Sequence, residues 1–292
     1  MKLFENSTFS SKLFSLIIIT LICGLITIIF LSQVTLVYSS ILGISTNQLT
    51  ENVDYLRTYQ VLSSIGLFII PSILFSIFFD KNLTEGLMIN TKPKTLSLII
   101  SIIAILSSLP IINYLTEINS HLALPENLSS IETWMREKED KALELTNKML
   151  ITNDFSRYLI NLLVIALIPA LSEELFFRGT IQKLLMTTKL KPIICAFITS
   201  FIFSFFHFQF YGFIPRLVLG LMLGLMLVYS KNLWLPIIAH FSNNALAVTL
   251  YYLGKSEDVE TMQFSIIIVL ISIIIPVTLL LYLKKTEKNT NK

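Results

Sequence analysis

Charged side chains are scarce in this chain. Only 14% of its 292 residues are Asp, Glu, Lys or Arg, against roughly 25% in a soluble domain, and that shortage excludes an ordinary soluble globular fold. Cysteine is scarcer still, and the two present, Cys23 and Cys195, both fall inside apolar runs. A thiol there behaves as a small hydrophobe, so a disulfide scaffold is excluded and nothing follows about redox compartment. Internal repeats and low-complexity tracts are absent, which sets aside collagen-like and disordered classes. The net charge of +3 is small, and it makes no case for a nucleic-acid partner.

What the sequence has instead is hydrophobicity, at 54% of residues with a mean hydropathy of +0.74. Apolar windows long enough to cross about 30 Å of hydrocarbon occur near 14–38, 60–79, 96–115, 158–178, 192–210, 215–230, 234–253 and 264–283. The expected fold is an all-α, polytopic helical integral membrane protein with about eight transmembrane helices. Its expected parts are an N-terminal three-helix region over 1–115, an amphipathic extracytoplasmic loop over 116–157, a helical core over 158–253, and a last transmembrane helix with a basic tail over 254–292. The first apolar run follows Lys2 and Lys12, but it exceeds the 7–15 residues typical of a secretion signal, so it reads as an uncleaved anchor. The polar tail from Lys284 reads as a frayed end.

Basic residues set the expected orientation. With the N-terminus in the cytoplasm, 14 of the 22 basic residues fall on that side, among them Lys81, Lys92, Lys94, Lys189, Lys191, Lys231 and Lys284. The other side then holds 8 basic and 13 acidic residues. This asymmetry satisfies the positive-inside rule with both termini cytoplasmic, in a multi-pass protein of the cell membrane. Between Pro125 and Leu150, apolar Leu128, Ile131, Met135, Leu143 and Leu145 alternate with charges, as in a helix lying on the membrane surface.

An ionisable side chain at the bilayer centre costs on the order of 2.5–3.5 kcal/mol or more. The few that occur there therefore carry the functional information. They are Glu173, Glu174 and Arg178 in Leu171-Ser-Glu-Glu-Leu-Phe-Phe-Arg-Gly179, His207 in Phe203-Ser-Phe-Phe-His207, and His240 with Asn244 in His240-Phe-Ser-Asn-Asn244. Glu174 and Arg178 share a helix face and can form an ion pair, which leaves Glu173, about 100° round the helix, available for another task. His240 and Asn244, and Phe203 and His207, have the same spacing of four. Glu173 lies 17 residues before Leu190 and His207 lies 17 after it. In a hairpin turning at Leu190, both sit about 25 Å above the turn and face each other. His240 and Asn244 enter from the same side, so a carboxylate, two imidazoles and an amide converge inside the bilayer.

Glu-Glu-x-x-x-Arg, Phe-x-x-x-His and His-x-x-x-Asn, in this order and on separate helices, resemble the CPBP family of membrane proteases. That family includes the type II CAAX prenyl endopeptidases and the bacteriocin-processing and immunity proteins. The resemblance covers about 158–250, including Gly220-Leu-Met-Leu-Gly224 and Leu233-Trp-Leu-Pro236. It implies a peptidase cutting a peptide or membrane-protein tail, lipidated or not, near the cytoplasmic face, with Glu173, Glu174, Arg178, His207, His240 and Asn244 as its catalytic set. Glu173 is the expected general base, since burial tunes a carboxyl for that task. His207 would hold the attacking water, and His240 and Asn244 would stabilise the oxyanion. Glu174 with Arg178 would support them, although Glu174 can also join the water site. Glu173, His207 and His240 also suit one divalent metal such as zinc. The spacing is not that of the His-Glu-x-x-His zinc helix, and a metal-free glutamate mechanism is the preferred reading. Two other classes stay open: a non-catalytic immunity or peptide-binding protein, and a transporter or proton path. Gly220 and Gly224 read as a close helix contact, and His121 as solvated surface.

Overall fold

The computed structural model describes residues 7–255 and 264–288. Lys2 and Lys292, counted above in the charge balance, lie outside them. Among the described residues the secondary structure is helical throughout. The principal helices are α1 (Phe9–Leu42), α2 (Val53–Phe79), α3 (Thr95–Ser120), α4 (Ser129–Leu150), α5 (Phe155–Leu185), α6 (Pro192–Phe205), α7 (Phe213–Ser230), α8 (Trp234–Tyr252) and α9 (Ile266–Lys288).

Seven of the expected apolar runs lie on one of these helices to within two residues, and the eighth, 192–210, outruns α6, which ends at Phe205. Six of them, α1, α2, α3, α5, α7 and α9, are long and apolar enough to cross a membrane. The other two differ for identifiable reasons. Helix α6 has only 14 residues, a rise of about 21 Å at 1.5 Å per residue. Helix α8 carries His240, Ser242, Asn243 and Asn244 along its middle, and these dilute its hydropathy. Both departures from an ordinary span occur where the polar motifs are.

Local chemistry fixes the helix ends. Thr8, Asn52 and Asp154 accept the backbone N–H of Ser11, Tyr55 and Arg157 and so cap α1, α2 and α5. Pro71 and Pro169 stand inside α2 and α5. A proline has no N–H for the carbonyl four residues earlier and its ring crowds that carbonyl. The backbone widens to π-helical turns at Ile65–Ile69 and Leu162–Leu167, just ahead of each proline. A third π-helical stretch, Glu174–Gln182, lies on the Glu-Glu-x-x-x-Arg motif itself; such wide turns frequently mark functional sites.

Among the described residues four buried apolar clusters hold the helices together, and two of them are the largest. One joins Ile100 and Ile105 of α3, Leu223 and Met226 of α7, Leu235 of α8, and Leu283 of α9. The other joins Leu16 of α1, Phe75 and Phe79 of α2, Phe176 and Phe177 of α5, and Phe203 of α6. Large apolar residues such as Leu21, Ile41, Ile267 and Ile274 point outward, as suits helices surrounded by lipid. The last helix runs through Lys288, and Glu287 bonds both Lys94, just ahead of α3, and Ser97 of α3. The expectation of a frayed end from Lys284 is therefore corrected over 284–288. A side-chain anchor on a distant helix holds that segment, and the four residues after it lie outside the described set.

Candidate active site

Helix α5 carries the first motif in a fully buried position. Glu174 and Arg178 have no solvent exposure, and Arg178 Nη1 donates to Glu174 Oε1 at 2.9 Å. The guanidinium also donates from Nη2 to the Gly220 carbonyl at 3.0 Å and stacks over the Phe203 ring, 4.5 Å from its centroid. Phe203 therefore packs against the cation, as a cation–π partner. One turn on, Gln182 Nε2 donates to the Gly224 carbonyl at 2.9 Å. Helix α7 thus presents two glycine carbonyls to two polar side chains of α5.

The glycines make that approach possible. A Cβ on Gly220 would stand 3.2 Å from Arg178 Nη2, Phe203 Cδ1 and Ser200 Cβ. Gly220→Ala is accordingly expected to displace the guanidinium and to lower any activity of the site several-fold while the protein still folds. Turnover measured beside thermal unfolding in detergent checks this; unchanged turnover would show that the contact is dispensable.

Glu174 also fixes an imidazole. Its Oε1 accepts His240 Nδ1–H at 2.9 Å, which turns Nε2 toward Glu173, at 3.9 Å from Glu173 Oε2. His207 is held in a similar way. Its Nδ1 lies 2.8 Å from the Phe203 carbonyl, and because a carbonyl only accepts, Nδ1 carries the proton and Nε2 of the neutral ring keeps its lone pair. On α8, Asn244 Oδ1 accepts Asn243 Nδ2 at 3.3 Å, leaving the Asn244 amide N–H groups to donate elsewhere.

Glu173, His207, His240 and Asn244 line one cavity of about 410 Å³, while Glu174 and Arg178 stand behind its wall. All six sequence-selected residues are thus brought to one place, in two layers. The cavity also contains Glu139, Arg216 and Asn243, which the sequence reading did not select. Arg216 was legible as a charge one residue inside the apolar run starting at 215. Glu139 was not, being one of many acids in a polar segment.

The cavity lies toward one end of the bundle. Thr116, Glu139, Gly212 and Pro215 line it, and none of the lining residues comes from the turns at 186–191 or 231–233. Helix α6 stops at Phe205 and leaves the irregular backbone of 206–212 beside the site, with His207 and Gly212 lining it. Non-helical backbone at this depth needs protein partners. Asn119 Nδ2 donates to the Phe210 carbonyl, Arg216 donates to the Gln209 carbonyl, and the Tyr211 N–H donates to Glu139. Helix α4 covers this turn. Trp134 packs on Phe210 with centroids 5.5 Å apart, and the Arg136 guanidinium stacks over Tyr211. Burial pushes the Glu139 carboxyl above the usual range, opposed by the Tyr211 N–H and the charge of Arg216.

Among the described residues, no three His, Cys, Asp or Glu side chains are placed to hold one metal ion together. The metal set suggested by Glu173, His207 and His240 does not fit as these side chains stand, and no step below passes through a metal.

Comparison with known proteins bears on the same helices. Residues 155–246 match the family model described as Type II CAAX prenyl endopeptidase Rce1-like. The Rce1-like segment begins at α5 and ends just past Asn244, so it holds all three motifs and leaves α1 to α4 and α9 outside. The match supports a peptidase working on a peptide substrate in a membrane setting. No curated protein and no solved structure matches the chain.

Proposed function

We propose that this chain is an intramembrane endopeptidase of the glutamate type, with 158–253 as its catalytic core. The observation that carries the reading is the convergence of Glu173, His207, His240 and Asn244 on one cavity, with His240 oriented from behind by the Glu174–Arg178 pair. Peptide hydrolysis needs an activated water, donors for the oxyanion and a proton for the leaving amine. Glu173 takes the water proton while His207 Nε2 accepts a hydrogen bond from the same water. The water oxygen bonds to the scissile carbonyl carbon, and His240 Nε2–H and the Asn244 amide donate to the oxyanion. Collapse breaks the C–N bond as Glu173 passes its proton to the departing nitrogen. The ion pair behind His240 holds the ring for this task, as an orienting acid does in other catalytic triads.

Membranes carrying the chain should generate new peptide N-termini that membranes lacking it do not; identical profiles at full expression would remove the endopeptidase reading. Because no step uses a metal, cleavage should persist within about twofold after exhaustive chelation. Loss on chelation with recovery on adding zinc would replace the glutamate mechanism.

The basic residues favour the 186–191 end as cytoplasmic, with both termini on that side of the cell membrane. The cavity then opens away from the cytoplasm, beneath α4. Glu139→Cys on intact cells should accordingly react with a membrane-impermeant thiol reagent, on a background lacking Cys23 and Cys195. Reaction only after permeabilisation would reverse the orientation.

A further inference from the structure

Arg216 brings into the cavity a charge that the proposed hydrolysis does not use. It stands in the first turn of α7 and lines the same cavity as Glu173, His207 and His240. Its Nη2 donates to Gln209 Oε1 at 2.7 Å and its Nη1 to the Gln209 carbonyl at 3.4 Å. Both acceptors are neutral. The guanidinium fork has further N–H donors, and among the described residues these have no hydrogen-bond partner and no carboxylate reaches ion-pair contact with them. Glu139 and Glu173 act on the charge only from longer range. Glu139 is held by the Tyr211 N–H, and Glu173 faces His240.

The guanidinium is also closely seated. A Cβ on Gly212 would come within 2.8 Å of Arg216 Nη2, so the fork lies directly against glycine backbone. A cation at membrane depth is costly without a counter-charge, and Gln209 offers only dipoles. A planar fork with unused donors on a cavity wall matches the two oxygens of a carboxylate.

We propose that Arg216 is a carboxylate subsite: it binds a carboxylate of the peptide held in this cavity, either the free C-terminus or an Asp or Glu side chain. The inference rests on the reading of the cavity as a peptide site. It narrows the substrate class to peptides that place a carboxylate near the 206–212 turn, with the scissile bond deeper, beside Glu173.

The test uses the full chain in lipid nanodiscs carrying Glu173→Gln, so that bound peptide is not consumed. Equimolar pools of random hexapeptides are offered with a free or amidated C-terminus, and with Asp and Glu either present or replaced by Asn and Gln. Retained peptides are counted by mass spectrometry. The expected result is a preference for carboxylate over amide of roughly 10- to 100-fold, and the four pools show which carboxylate is read. The ratio should collapse toward one in Arg216→Gln and survive in part in Arg216→Lys. It should fall in Gly212→Ala, where the added methyl shifts the guanidinium without removing it. A ratio near one in the parent protein, retention of no pool, or a ratio that Arg216→Gln leaves unchanged would overturn the proposal. Should Arg216→Gln not fold, an unchanged ratio in both Arg216→Lys and Gly212→Ala would overturn it equally. New N-termini produced by the unsubstituted chain without any carboxylate preference would remove the subsite and leave the endopeptidase; a preference without cleavage would do the reverse.

Discussion

Glu173→Gln is expected to abolish cleavage, lowering turnover by about 10²–10⁴-fold, the usual worth of a general base, while leaving the fold intact. The substitution keeps the shape and removes only the ability to take a proton. The side chain is 15% exposed and faces the cavity, and it is not the carboxylate that holds Arg178. The buried framework of Glu174, Arg178 and His240 is therefore untouched. Thermal unfolding in detergent should shift little, and substrate should still bind. Profiling new N-termini in membranes with the unsubstituted protein or the Glu173→Gln variant reads the result directly. Cleavages lost in the variant identify both the base and the substrates. A variant that cleaves as well as its parent would sink the assignment of Glu173. A variant that cleaves nothing new, beside a parent that also cleaves nothing, would favour the peptide-binding or immunity role.

The spans and the three motifs were legible for one physical reason: hydrocarbon penalises polarity, so a long apolar run announces a helix and a charge within it announces a site. Helical rise brought His207 and Glu173 to the same cavity on paper, but α6 ends at Phe205 and His207 reaches that cavity from the turn beyond the helix. That early end was not legible. Nothing in Phe203-Ser-Phe-Phe-His207-Phe-Gln distinguishes a helix that stops at Phe205 from one that continues. The decision is made by Asn119 and Glu139, far along the chain, and by Arg216 just beyond the turn, which satisfy backbone groups of 206–212. The same early end puts His207 and Gly212 on the cavity wall from irregular backbone, which helix counting could not reveal. Similarly, Glu287 looked like part of a loose tail because its partners, Lys94 and Ser97, lie at the start of α3, about 190 residues earlier. The close approach of α7 was readable from Gly220-x-x-x-Gly224, but not that the glycine carbonyls accept hydrogen bonds from Arg178 and Gln182.

Arg178→Met should be the most damaging substitution for the fold. Arg178 and Glu174 are both fully buried, so removing the cation strands a carboxylate whose remaining hydrogen-bond partner is His240. Breaking a buried pair from one side typically costs about 3–5 kcal/mol, a large share of the roughly 5–15 kcal/mol that stabilises a domain. Low yield and a markedly lower unfolding temperature in detergent are expected, together with loss of cleavage. The double variant Arg178→Met with Glu174→Met separates structure from chemistry. Replacing both charges by apolar side chains of similar size removes the stranded carboxylate, and such exchanges are often neutral for stability. Much of the unfolding temperature should therefore return. Cleavage should not, because His240 Nδ1 then has no acceptor to hold the ring toward Glu173. If the double variant regained both, the pair would be only a helix fastener and His240 would need no orienting partner. If it regained neither, the Arg178 contacts to the Gly220 carbonyl and the Phe203 ring would be the ones that hold α5, α6 and α7 together.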